Sequence, residues 1–171
     1  MTTDLERQIA NRMQARFSDR VEALFEDKRG QVLRIATDAV TEVLEALRTD
    51  DESPFDMLID VTAVDWSKWH EQTGLPEPPE RFSVYYIIYS LKTHARLFLE
   101  TYVGEHRSVP SATGVYASAD WAEREVYDMF GIRFADHPDL RRIMMSEDFE
   151  GYPLRKEFPV QGVDPQDFPQ E

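Results

Sequence analysis

The sequence predicts an α+β domain, a two-layer sandwich of amphipathic helices on a mostly antiparallel or mixed sheet, followed by a long irregular C-terminal tail. Three observations predict it. Helix-period and strand-period segments follow one another in the order α-β-β-α-β-β-β, so the helices can cover one face of the sheet. The runs "FDMLIDVTAVDW", "RFSVYYIIYSL" and "ARLFLETYV" are rich in β-branched and aromatic residues. Regular periodicity stops near residue 131, and the last 41 residues hold five Pro and three Gly. The expected organisation is a domain over residues 1–130 and an extended segment over 131–171.

Each element has its own signal. Residues 4–17 place Leu5, Ile9, Met13 and Phe17 four apart, one apolar stripe of a helix. "VEALFED" and "QVLRIAT" flank "DKRG", where Gly30 suits a hairpin turn. Thr37 is the expected N-cap of a helix over 38–48 with Val40, Val43, Leu44 and Leu47 on its inner face. "DDESP" ends that helix. In the next strand Met57, Ile59, Val61 and Ala63 are expected on one face. "SKWHEQTGLPEPPE" is an exposed loop that Trp66 and Trp69 could anchor on the domain. Two strands joined near "KTH" form a hairpin, and residues 111–116 are expected as a short helix after Pro110.

The last helix lies in "DWAEREVYDMFG". Asp120 is expected to cap it, with Glu123 in a capping-box-like position. Ala122, Val126, Met129 and Phe130 face the sheet, and Gly131 caps the C-terminus. The i, i+4, i+8 spacing of Asp120, Arg124 and Asp128 would set one Arg between two carboxylates, while Glu125 points elsewhere. The tail beyond is too rich in Phe, Leu, Ile, Met and Tyr for simple disorder. A segment of that kind lies on something, either this domain's own surface or a partner's.

Composition excludes several function classes. A length of 171 residues allows a real core without staples. No Cys is present, which removes disulfides, thiolate-held iron–sulfur clusters and thiol catalysis. The net charge of −14 argues against sequence-blind nucleic-acid binding and against docking directly on an anionic lipid leaflet. The acid is concentrated: residues 50 to 80 carry nine Asp and Glu against one Lys, which reads as a solvated loop region. The opening "MTTDLERQIANRMQ" lacks an apolar core of signal-peptide length, so secretion is not expected. No run reaches the roughly 18 apolar residues of a spanning helix.

Catalytic and cofactor motifs are lacking as well. His70, His94, His106 and His137 make no HxH, HxxxH or HExxH pattern, and "DHPD" reads as a turn around Pro138 rather than a metal site. Glu123, Asp128 and His137 are possible acid–base parts, but two carboxylates on a helix carry little information without a pocket. There is no GxSxG, no GxGxxG and no GxxxxGK[ST]. The residues alone describe a cofactor-free α+β domain, more a binding module than an enzyme.

One long stretch adds to that reading. "EREVYDMFGIRFADHPDLRRIM" followed by "EDFEGYPLRKEFPV" resembles the signature of the thirty-kilodalton subunit family of respiratory complex I, the bacterial NADH-quinone oxidoreductase. The agreement runs over residues 121–160 without a gap. Ser146 stands where the family often has Pro, Phe149 where Trp is common, and Tyr152 where His is common. The acidic, Pro-rich segment 66–81 looks longer than in compact members.

The resemblance implies a non-catalytic subunit in the hydrophilic arm of a proton-translocating NADH:quinone oxidoreductase. It implies no cofactor in this chain, with FMN and iron–sulfur clusters in partner subunits. It also implies docking on the quinone-site subunit and on neighbouring iron–sulfur subunits, and a peripheral place on the cytoplasmic side of the membrane. On this reading Arg124, Arg141, Arg142, Arg155 and Lys156 bond partner carboxylates or carbonyls, and Phe130, Phe134, Phe149 and Phe158 fill partner pockets. Glu123, Glu125, Asp128 and His137 complete the expected interface. A related complex with another electron donor, or a membrane-bound hydrogenase, is the alternative, and a freestanding acid–base enzyme a remote one.

Overall fold

The computed structural model describes residues 2–28 and 30–161. Helix α1 (Thr2–Arg16) sets Ile9, Ala10 and Met13 into the core, and Phe17 follows one residue beyond it. Strands β1 (Val21–Asp27) and β2 (Gly30–Ile35) form the expected hairpin, with Asp27 opposite Gly30. A 3-10 turn (Thr37–Ala39) then leads into α2 (Val40–Arg48), whose Val40, Val43, Leu44 and Leu47 are fully buried. Thr37 does not cap α2. The 3-10 turn separates it from the first helical amides, and Ala39 holds the cap position without a side-chain bond. The Thr37 hydroxyl instead donates to the Tyr102 carbonyl at 2.7 Å and accepts from the Thr101 hydroxyl at 3.1 Å.

Strands β3 (Met57–Asp65), β4 (Phe82–Tyr89) and β5 (Arg96–Val103) complete a five-stranded sheet in the order β1-β2-β5-β4-β3. The sheet is mixed: β2 and β5 run parallel at its centre and the other pairs are antiparallel. β3 departs from the expected alternation. Its register shifts between Leu58 and Asp60, the mark of a bulge. One extra residue reverses the side on which its neighbours emerge. Leu58, Val61 and Ala63 are therefore buried, whereas Met57 and Ile59 are 47% and 45% exposed.

The loop between β3 and β4 contains the short helix α3 (Trp69–Thr73), closed by Gly74 at φ +71°. It is anchored as expected. The Trp66 and Trp69 rings meet edge to face at 5.1 Å, and the Trp66 indole donates to the Ser83 hydroxyl at 2.9 Å.

After β5, β6 (Ser108–Pro110) pairs in parallel with β7 (Arg133–Ala135) on either side of helix α4 (Ala119–Phe130). Residues 111–116 make one turn, not a helix. The segment is tied at both ends, by the Ser111 N–H on the Ala135 carbonyl at 2.9 Å and by the Tyr116 hydroxyl on the Phe55 carbonyl at 2.8 Å. The core joins the apolar sides of α1, α2 and α4 to Leu33, Val61, Val84, Tyr86, Ile88, Leu97 and Leu99. Residues 136–161 have no regular element and run back over α4 and the end of β3, whereas the final ten residues of the tail lie outside the described ones. Among the described residues no helix is long and apolar enough to cross a membrane.

Candidate functional site

Helix α4 packs against β3 through a stripe that includes Val126, Met129 and Phe130. Gly131 ends it in the left-handed region at φ +75°, with its N–H on the Tyr127 carbonyl at 2.8 Å. The start differs from the expected capping box. The helix begins one residue before Asp120, Ser118 stands at the cap position with its hydroxyl turned to the Leu58 carbonyl rather than to the helix amides, and Glu123 does not reach back. Glu123 crosses to the preceding turn instead. Its Oε2 accepts from the Ser111 hydroxyl at 2.7 Å and its Oε1 from the Ala112 N–H at 2.6 Å. Burial pushes the Glu123 carboxyl up to about 7, against the opposing pull of those two bonds.

His137 joins the same corner, its side chain without exposure. Nδ1 accepts from the Asp139 N–H at 3.0 Å, which leaves the ring proton on Nε2 to donate to the Asp120 carbonyl at 3.1 Å. Nε2 also lies 3.5 Å from Asp120 Oδ1 and 4.0 Å from Glu123 Oε2.

Arg124 does not sit between Asp120 and Asp128. Its guanidinium stacks 4.9 Å from the exposed Trp121 ring and donates from Nε to the Arg141 carbonyl at 3.3 Å. Asp128 is held by the tail. Its Oδ1 accepts from Arg142 at 2.8 Å, and its Oδ2 accepts the consecutive N–H groups of Ile143, Met144 and Met145 at 3.0, 2.6 and 2.9 Å. Four donors saturate this buried carboxylate, which leaves nothing for Arg124. Together they hold its pKa below the usual carboxylate value despite the opposing cost of burial, the largest single influence.

The tail then closes the other end of α4. The Leu154 N–H donates to the Met129 carbonyl at 3.1 Å and Arg155 Nε to the Phe130 carbonyl at 2.6 Å, so a cation sits at the negative end of the helix dipole. The Lys156 N–H donates to Asp65 Oδ2 at 3.0 Å. Arg81 bridges Asp65, Glu105 and Glu157 at 3.1, 2.9 and 2.5 Å, and Arg155 also pairs with Glu105 at 2.8 Å. The Tyr152 ring lies 5.2 Å from the Arg142 guanidinium and 4.5 Å from that of Arg155.

The residues expected at an interface thus fall into two groups. Phe130 and Phe134 lie in the chain's own core, Glu123 and Asp128 are buried, and Arg142 and Arg155 bind the chain's own carbonyls and carboxylates. Phe149 and Phe158 are half-buried and stack on each other at 5.9 Å. Glu125, Arg141 and Lys156 face solvent, with Arg141 paired to Asp139 at 2.9 Å. Glu123 and His137 meet, and Asp128 does not join them. Among the described residues no three His, Asp or Glu side chains are grouped to hold a metal ion. Sequence reasoning missed Asp65, Arg81, Ser111 and Tyr152. Only Asp65 left a signal: an acid placed to alternate inward with Val61 and Ala63 needs a buried partner.

The family model described as "Respiratory-chain NADH dehydrogenase, 30 Kd subunit" matches residues 33–164. The chain belongs to this family. Members named as subunits of NADH-quinone oxidoreductase include one from Parvibaculum lavamentivorans, 44% identical over 72% of this chain and 58% of its own length. Another from Paramagnetospirillum magneticum is 42% identical over 76% of this chain and 61% of its own length. The chain therefore spans about three fifths of these relatives. It matches a shorter one, from Trichlorobacter lovleyi, over 88% of both chains at 41% identity. Its fold is that of a chain in the membrane-bound sulfane sulfur reductase, an archaeal respiratory membrane complex, at a TM-score of 0.69 and 20% identity. That alignment covers 90% of this chain and 85% of the other. The matched span takes in α4 and the carboxylate-held strap just described.

Proposed function

We propose that this chain is a non-catalytic assembly subunit of the hydrophilic arm of a proton-translocating NADH:quinone oxidoreductase. The observation that carries the reading is the family match, over most of the chain, with relatives named as belonging to that enzyme. With no Cys in the sequence, the chain supplies no thiolate for an iron–sulfur cluster. FMN and the clusters belong to partner subunits on this reading. The chain sits peripherally on the cytoplasmic side of the membrane, held through the complex.

The docking surface is the outward side of α4 and its strap, presented to the quinone-site subunit and to neighbouring iron–sulfur subunits. Trp121, Met144 and Leu154 are large apolar residues left 65%, 59% and 53% exposed there. Glu125, Arg141 and Lys156 lie among them as the polar contacts. The fold also occurs in a complex named for sulfane sulfur reduction, so fold alone does not report the electron donor. The identity of 41–44% to subunits of NADH-quinone oxidoreductase favours that donor and acceptor.

The test is a mild-detergent pull-down of the tagged chain from its own membranes, with mass spectrometry and an NADH:quinone assay on the eluate. Co-recovery of flavin and iron–sulfur subunits with activity supports the reading. Recovery of hydrogenase-like or other donor subunits replaces it with the related complex. A lone protein under conditions that preserve the complex sinks both.

A further inference from the structure

The buried corner around Glu123 contains more polar chemistry than packing α4 on a sheet requires. The Glu123 side chain has no exposure and lies within the fold at the point where α4, the 111–116 turn and the start of the tail meet. Its Oε2 is bonded to the Ser111 hydroxyl at 2.7 Å, and the Ser111 hydroxyl to the Thr113 hydroxyl at 2.8 Å. Ser111 is nearly buried and Thr113 half-buried, so the three groups form a continuous chain from the interior to the surface. The charged and titratable groups that face the carboxyl are Asp120 from α4, His137 from the tail and Tyr86 from β4. The Tyr86 hydroxyl is wholly buried and bonded to nothing, and Asp120 Oδ1 is likewise buried without a hydrogen-bond partner. None of the facing groups offers a formal ion pair to Glu123 while His137 carries its single proton on Nε2.

We propose that Glu123, Ser111 and Thr113 form a proton-exchange site that loads and unloads the buried carboxyl from the surface without rearranging the fold. The hydrogen bonds allow it because each hydroxyl both donates and accepts. With Glu123 ionised, Thr113 donates to Ser111 and Ser111 donates to Oε2. A proton taken from water at Thr113 releases the Thr113 proton to Ser111, which releases its own to Oε2. The carboxylic acid then donates to Ser111 and Ser111 to Thr113. Three O–H bonds form, two break within the chain and one proton leaves water, so only the polarity of the chain is inverted. The Ala112 N–H on Oε1 serves both states. Burial of the carboxyl places its titration near neutrality, where both states are populated.

The experiment is infrared spectroscopy of the full chain across pH 5 to 9, following the carbonyl stretch of protonated carboxyl groups. The expected result is one buried-carboxyl band that disappears with a midpoint near 7. Glu123→Gln removes that band. Ser111→Ala shifts the midpoint upward, because the anion loses a donor. Thr113→Val slows the band's exchange in heavy water, because the route outward is cut. The last two variants keep the carboxyl, so the assignment stands even if Glu123→Gln folds poorly. Absence of any protonated-carboxyl band at pH 6 overturns the proposal, as does a band whose midpoint and exchange rate ignore both hydroxyl substitutions.

Discussion

Asp65 and Lys156 lie 91 residues apart in sequence, yet the Asp65 carboxylate accepts the Lys156 backbone N–H at 3.0 Å. Asp128 repeats the arrangement at the other end of the strap, where it accepts the N–H groups of residues 143–145. In both cases a carboxylate on a regular element binds tail backbone rather than a tail cation alone. Backbone N–H groups are present at every residue, and a buried carboxylate needs several donors to offset its lost hydration. The Lys156 side chain is thereby left exposed, whereas Arg142 and Arg155 reinforce the backbone bonds from the side.

Asp128→Asn tests that relationship. The substitution removes the charge, and one of the four donors then faces an amide N–H₂. Breaking a buried, multiply bonded charge costs about 2–4 kcal/mol. Amide hydrogen exchange should show residues 143–145 losing protection while β4 and β5 keep theirs. Unchanged protection at 143–145 would show that Asp128 does not hold the strap.

Acid should loosen the strap for the same reason. The folded-state values of Asp65 and Asp128 both lie below the reference 3.8. Their contribution is therefore complete above that value and lost as pH falls through the lowered ones. Between pH 5 and pH 2 the exchange protection of residues 143–145 and 156 should fall before that of the central strands.

Glu123 runs in the opposite direction. Its folded value of about 7 lies above the reference 4.5, so the folded state binds the extra proton between these values. Stability contributed by Glu123 is present below 4.5, declines as pH rises to about 7, and stays lost above it. Glu123→Gln carries no such dependence. Denaturant unfolding should show the variant gaining on the parent by roughly 1–3 kcal/mol between pH 4.5 and 7, with no further gain at pH 8. A constant difference across that range would contradict the raised value.

Gly131 is required twice over. Its φ of +75° disfavours other residues, and an added Cβ would lie 2.6 Å from the Tyr152 ring and 2.8 Å from the Arg155 guanidinium. Gly131→Ala should lower the unfolding free energy by about 1–3 kcal/mol. Pairing it with Tyr152→Ala should cost less than the sum of the two single changes, because the clash is shared. Strict additivity would show that Tyr152 does not pack there.

The elements of this fold were legible where one period ruled. Leu5, Ile9, Met13 and Phe17, or Val40 to Leu47, have one helical face each, and burial followed it. β3 misled because a single bulged residue, invisible to composition, exchanged Leu58 for Met57 and Ile59 on the inner face. The candidate site was legible as a stretch and illegible as geometry. Helical spacing pairs Arg124 with Asp120 and Asp128, yet Asp128 is bonded by the tail amides of Ile143 and Met145, and the Asp120 backbone carbonyl, not its carboxylate, accepts from His137. Sequence separation hides such donors, and nothing local in "WAEREVYDMFG" distinguishes a solvated carboxylate from one wrapped by a returning chain.

Trp121 separates the fold role of this region from its assembly role. The ring is 65% exposed, covers the Arg124 guanidinium on one side and presents the other to solvent. Trp121→Glu removes a cation–π contact worth about 0.5–1 kcal/mol at such a site and replaces it with an ion pair of similar size. Thermal unfolding of the isolated chain should therefore change little. If α4 and its strap meet a partner, the same substitution puts a charge at the centre of an apolar contact. An exposed aromatic anchor contributes about 2 kcal/mol or more there by typical interface values, roughly thirtyfold in affinity. Quantitative mass spectrometry of the complex recovered through another of its subunits should show the variant chain depleted relative to the parent. Full incorporation of Trp121→Glu would move the docking surface off α4, with the exposed Met57 and Ile59 on β3 as the next patch to substitute.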